Sequence, residues 1–77
     1  MIYCGIDPHK KKHVAVLCDS QGKKLFEKSF NNDIEGYQDL LEWSNGNNIE
    51  VIFGIENPQS YGRGLAQYLK VKEKKVY

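Results

Sequence analysis

Val51-Ile52-Phe53-Gly54-Ile55-Glu56 decides the fold, because it restates Tyr3-Cys4-Gly5-Ile6-Asp7 from the start of the chain. Each is an apolar run that ends in an acid, with Gly-Ile directly before it. An uninterrupted run such as Val51 to Ile55 is expected of a strand buried on both faces of a parallel or mixed sheet. Ile2 to Asp7 reads as a second strand, closed by Pro8, which has no N–H to continue a ladder.

Working outward, Val14 to Cys18 is another β-rich run, and Asp19-Ser20-Gln21-Gly22 after it is a turn by composition. Leu25 to Phe30 alternates weakly and predicts a third strand. Three strands joined by short turns form an antiparallel meander. The period then changes. Ile34, Tyr37, Leu40 and Leu41 share one helical face, Asn32 with Glu35 offers a capping box, and Asn45-Gly46 offers a stop. Ser60 can cap a second helix with Tyr61, Leu65, Tyr68 and Leu69 on its apolar face. Lys74 to Tyr77 reads as the beginning of a further strand.

The predicted order is β-β-β-α-β-α-(β), an α/β fold with a mixed sheet. The helix between the third and fourth strands must cross over, right-handed by default. The simplest sheet puts the first strand in the middle, with the meander on one side and the fourth strand parallel on the other. That is the start of a ribonuclease-H-like fold. Asp7 and Glu56 then end neighbouring parallel strands about 4.8 Å apart, at the carboxyl edge where α/β sheets place ligands. Each glycine shares a face with its acid and clears space for another element to approach. Two carboxylates so close repel, and a divalent ion relieves the repulsion. Two such ions about 3.5–4 Å apart serve phosphodiester cleavage. Asp-Pro and Glu-Asn-Pro are also ordinary turn openers, but two acids ending adjacent strands after the same Gly-Ile favour a site.

The chain has 77 residues, 40% of them hydrophobic, and a net charge of +1. That is one domain at most, with about 60% of its unfolded surface buried. The balance of charge excludes nothing, but its distribution is uneven: Lys10-Lys11-Lys12, Lys23-Lys24 and the stretch from Lys70 to Lys75 are basic. Such clusters are usually solvated, and they also suit a phosphate backbone. No signal peptide or membrane-spanning run is present, and two cysteines without zinc spacing point to a cytoplasmic protein with reduced thiols. If the first hairpin pairs about residue 11, Cys4 and Cys18 become cross-strand neighbours able to form an adventitious disulfide.

The stretches YCGIDPHKKKHVAVLCDSQGK, NDIEGYQDLLEW and VIFGIENPQSYGRGLAQYL resemble the amino-terminal domain of DEDD transposases of insertion-sequence family 110, the group of the pilin-inversion recombinases. That domain is similar to the Holliday-junction resolvase RuvC, and Gly5-Ile6-Asp7-Pro8 looks like the resolvase's first motif. The resemblance spans Ile2 to Tyr77. It implies a RuvC-like DEDD domain, represented by its amino-terminal part over residues 1–77, without the rest of the catalytic domain or the serine-bearing carboxy-terminal domain. It implies a four-acid site for Mg²⁺ or Mn²⁺ acting in DNA strand cleavage and transfer, with Asp7 matching the first Asp and Glu56 the Glu. Asp19, Asp33 and Asp39 do not fit the other two positions. It also implies DNA, and in the full protein a guide RNA, as partners. Asn57-Pro58 departs from the Thr-Gly pair that many relatives carry after the Glu.

Lys10, Lys11 and Lys12 follow the first acid and Arg63 opens the second helix, so all four are candidates for nucleic-acid contact. His9 and His13 are poor ligands for a hard cation among lysines. Tyr61 is expected in the core, Ser60 as a cap without a base, and Trp43 off the main stripe against another domain or copy. An actin-like or sugar-kinase-like ATPase lobe shares the early strand order, but it cradles phosphate with a Gly/Ser/Thr-rich turn, not Pro-His-Lys-Lys-Lys. A non-catalytic, truncated nucleic-acid-binding remnant is the other alternative. With two of four acids, the chain alone is expected not to cleave DNA. An open strand edge and an uncovered sheet face predict a homo-oligomer.

Overall fold

The computed structural model describes residues 2–44, 50–56 and 61–77. The elements run β1 (Ile2–Pro8), β2 (Lys12–Cys18), β3 (Lys24–Asn31), α1 (Ile34–Ser44), β4 (Val51–Ile55), α2 (Arg63–Val71) and β5 (Lys75–Val76). The sheet order is β3-β2-β1-β4-β5, antiparallel through the meander and parallel from β1 to β4 and from β4 to β5. A mixed five-stranded α/β sheet of this kind is compatible with a ribonuclease-H-like fold. The Asn45-Gly46 stop, the Ser60 cap and the Asn57-Pro58 loop lie outside the described residues.

One face of the sheet carries the core. Cys4, Ile6, Ala15, Leu17, Phe30, Phe53 and Ile55 alternate along their strands and bury against Tyr37 and Leu40 of α1 and Leu65 and Leu69 of α2. Each fully buried Leu or Phe there contributes about 1.5–3 kcal/mol. The other face presents Tyr3, Gly5, Asp7, Val14, Val16, Ile52 and Gly54, all exposed or half-buried. The run Val51 to Ile55 is therefore covered on one side only, contrary to the two-sided burial its composition suggests. Trp43 packs against the edge of the core rather than facing away from it. Tyr61 is 49% exposed and outside the core, because it lies in the turn ahead of α2.

The first hairpin pairs Tyr3 with Cys18 and Cys4 with Leu17. Its centre falls half a residue before Lys11, and that displacement separates the two thiols, since register parity sets the face. Cys4 is buried beneath the helices, Cys18 lies on the open face, and both are free. Burial, and secondarily Cys18, push the Cys4 thiol up to about 12, so it behaves as a small hydrophobe.

Helix α1 is capped by Asp33 rather than Asn32. Asp33 Oδ1 accepts the Gly36 N–H at 2.8 Å, satisfying an otherwise orphaned donor of the first turn. Gly36 is obligatory at that position, because a Cβ there would fall 1.9 Å from the Asn31 carbonyl oxygen. Helix α2 ends in a Schellman motif: Lys74 N–H reaches Leu69 O at 2.9 Å and Glu73 N–H reaches Lys70 O at 3.0 Å. Glu73 takes the left-handed conformation at φ 60°, which turns the chain into β5.

Candidate functional site

The parallel pairing places Gly5 beside Gly54 and Ile6 beside Ile55. It continues one step further, where the Glu56 N–H donates to the Ile6 carbonyl at 3.1 Å. Asp7 and Glu56 thus leave adjacent strands at the same level. Each stands two residues after its glycine and emerges on the face opposite the helices. Both acids are exposed. Below them, Tyr3, Gly5, Ile52, Gly54 and Tyr77 line an open apolar trench. A Cβ on Gly5 or Gly54 would meet nothing within 4 Å, so the expected close approach of another element is not made by any described part of the chain.

His9 is the immediate neighbour of the first acid. Its Nε2 lies 3.1 Å from Asp7 Oδ2, with both side chains well exposed. Lys10 and Lys11 form the turn that follows, and Lys12 opens β2, all three exposed. Lys12 and Val14 alternate on one face, and Val14 pairs with Asp7, so Lys12 shares the acids' side of the sheet. Arg63 is the first residue of α2 and is exposed. The turn ahead of α2 reaches the basic turn through Asn32, whose Nδ2 donates to Lys10 O at 3.1 Å and to Tyr61 O at 3.4 Å. The two acids, the lysine turn and the approach to α2 therefore gather at one end of the sheet.

His13 is not part of this surface. It is fully buried on the helix side, stacked on Tyr37 at 6.5 Å and set edge-on to Phe30 at 5.3 Å. Its Nδ1 accepts the His9 N–H at 3.1 Å, which places the proton of the neutral ring on Nε2. Nε2 has no partner among the described residues. Burial holds this imidazole below its ordinary pKa; the nearby Asn32 opposes that shift and His9 adds to it. The contact of His9 with Asp7 spans only two residues, whereas the central place of Asn32 was not readable from local pattern, since its partners Lys10 and Tyr61 lie far along the chain.

The donor set fits a hard cation in kind: two exposed carboxylates ending adjacent strands, with Cys4 buried on the opposite face and Cys18 at the other end of the sheet. In number it is incomplete. Among the described residues no group of three His, Cys, Asp or Glu is placed to hold a metal ion. Likewise among them, no helix is long and apolar enough to cross a membrane. No curated protein matches the chain. Residues 4–77 match the family model of the DEDD transposases of insertion-sequence family 110, and the chain belongs to that family, matching its amino-terminal domain.

Proposed function

We propose that this chain is the amino-terminal part of a RuvC-like transposase catalytic domain that contributes Asp7 and Glu56, two of the family's four acids, to DNA strand cleavage and transfer. The observation that carries the reading is the in-register parallel pair β1 and β4, with both acids at its carboxyl end and on one face. Asp7 and Glu56 would hold Mg²⁺ or Mn²⁺ through carboxylate oxygens, the ligands such ions prefer. When bound, the ion supplies charge for activating water and for stabilising the leaving oxygen.

The residues of the chain perform the rest. Lys10, Lys11, Lys12 and Arg63 attract the phosphate backbone and fix its register against the acidic edge, without reading sequence. His9 keeps the Asp7 carboxylate oriented by its contact at Oδ2. Parallel strands hold the backbones of the two acids side by side, so both carboxylates start from neighbouring positions. The partners are DNA and, in a longer protein, a guide RNA; the setting is the cytoplasm. The apolar open face favours a homo-oligomer.

Manganese titration followed by NMR tests this reading. Paramagnetic broadening is expected to begin at the amides around Asp7 and Glu56 and to vanish in Asp7→Asn with Glu56→Gln. Uniform broadening, or broadening centred elsewhere, would refute it. With two carboxylates and no third donor among the described residues, the pure chain is expected to show no metal-dependent nuclease turnover.

A further inference from the structure

We infer that Asn32 is a positioning residue, whose carboxamide locks the basic turn after Asp7 and the approach to α2 into one rigid frame. Its functional consequence rests on the reading above; the bracing itself does not. Every polar group of Asn32's side chain is used. Nδ2 carries two hydrogens and faces two carbonyl oxygens, those of Lys10 and Tyr61. Oδ1 accepts the Tyr37 hydroxyl. The Asn32 backbone N–H adds a fourth bond, to Lys11 O at 2.9 Å. Only a carboxamide offers two donors and an acceptor in this arrangement.

The surroundings are shaped to hold that amide. Asn31 approaches Gly36 too closely for any side chain at that position, and Asp33 caps α1 immediately afterwards, so the chain on both sides of Asn32 is fixed. Tyr37, which supplies the hydroxyl, packs against His13 and, at 5.3 Å, against Tyr68. Gly64 of α2 leaves room for that hydroxyl: a Cβ would sit 2.9 Å from it. His13 adds its own grip through the His9 N–H. The turn is thus pinned at His9 N–H, Lys10 O and Lys11 O, although its lysine side chains are exposed. A turn that merely reversed the chain would need no such anchoring. A turn that presents charge to a rigid polyanion gains affinity by being ordered beforehand.

The test compares the wild-type chain with Asn32→Asp, which keeps the shape and the Tyr37 acceptor but sets an oxygen against two carbonyls. Nitrogen-15 relaxation dispersion reads the frame, and fluorescence anisotropy on a short DNA duplex reads its consequence. Residues 10–12 and 61–63 are expected to enter exchange together while β1 and β4 stay quiet. Duplex affinity should fall by about two- to tenfold, the scale for losing one intramolecular hydrogen bond. Leu41→Ala, a loss at the core's edge away from the turn, serves as a control and should lower the melting temperature while leaving affinity intact. Should Asn32→Asp fail to fold, Tyr37→Phe removes only the hydroxyl and should loosen the same two segments to a lesser degree. The inference is overturned if both segments stay rigid, if only one loosens, or if Leu41→Ala weakens DNA binding equally. A wild-type chain with no affinity for DNA would refute the functional reading, and the exchange measurement would still decide the bracing.

Discussion

Replacing Gly36 by alanine is the sharpest test of how the β3–α1 corner is built. The new Cβ would lie 1.9 Å from Asn31 O, 2.7 Å from its carbonyl carbon and 2.8 Å from its nitrogen. Carbon contacts relax only near about 3.5 Å, so strand end and helix start must part by more than 1 Å. Both colliding partners are backbone and no rotamer offers an escape. Overpacking typically costs about 1–3 kcal/mol, and displacing the Asp33 cap adds about 1 kcal/mol. The better helix propensity of alanine returns about 1 kcal/mol. The net loss of about 1–3 kcal/mol lowers the melting temperature by about 4–24 °C in a domain of this size. Gly5→Ala and Gly54→Ala make the opposing case, since neither Cβ meets anything within 4 Å; each should be neutral or stabilising by up to about 1 kcal/mol. Thermal melting by circular dichroism separates the two outcomes. The reasoning fails if Gly36→Ala melts within about 3 °C of wild type, or if Gly5→Ala falls as far.

His13 should make stability depend on pH. Its folded-state pKa lies below the unfolded value, so the unfolded chain binds more protons and stability rises with pH. The contribution is complete above the ordinary histidine range and is lost as pH falls below about 6.5; denaturant midpoints measured from neutral to mildly acidic pH should show that decline, and His13→Gln should flatten it. Alkylation should reach Cys18 well before Cys4, whose thiol is buried and pushed up to about 12. Air oxidation should yield no internal disulfide, as read by mass spectrometry without reduction. Glu73→Gly should raise the melting temperature by a few degrees, because a left-handed residue with a Cβ costs about 1 kcal/mol.

Repeated spelling made the centre of the sheet legible. Tyr3-Cys4-Gly5-Ile6-Asp7 and its near-repetition at residues 52–56, each with Gly-Ile before an acid, announced both the parallel partner and the level at which the two acids meet. Residues 14–18 carry no such marker. Nothing local fixed the hairpin's centre, and half a residue of error put Cys18 on the wrong face. The corner before α1 offered Asn32 and Asp33 side by side, both competent caps; the bonds that drew Asn32 away come from Tyr37 in the next helix and from Lys10 and Tyr61, distant along the chain. The unbroken run 51–55 suggested cover on both sides because hydrophobicity alone does not say which neighbour is present. Ile34 fits the helical stripe, yet as the first residue of α1 it is 56% exposed.

The order of strands also bears on how the chain acquires its shape. The meander β1-β2-β3 closes between segments adjacent along the backbone and costs little loop entropy. The β1–β4 pairing must wait for two strands and a helix to be laid down between them, so it belongs to the slow, non-local class of contacts. Asp7 and Glu56 are therefore strangers until late in folding. A polypeptide still emerging from the ribosome can complete its first hairpins and yet own no acidic pair, and the final docking step brings like charges together. Maturation and assembly of the paired carboxylates are one event.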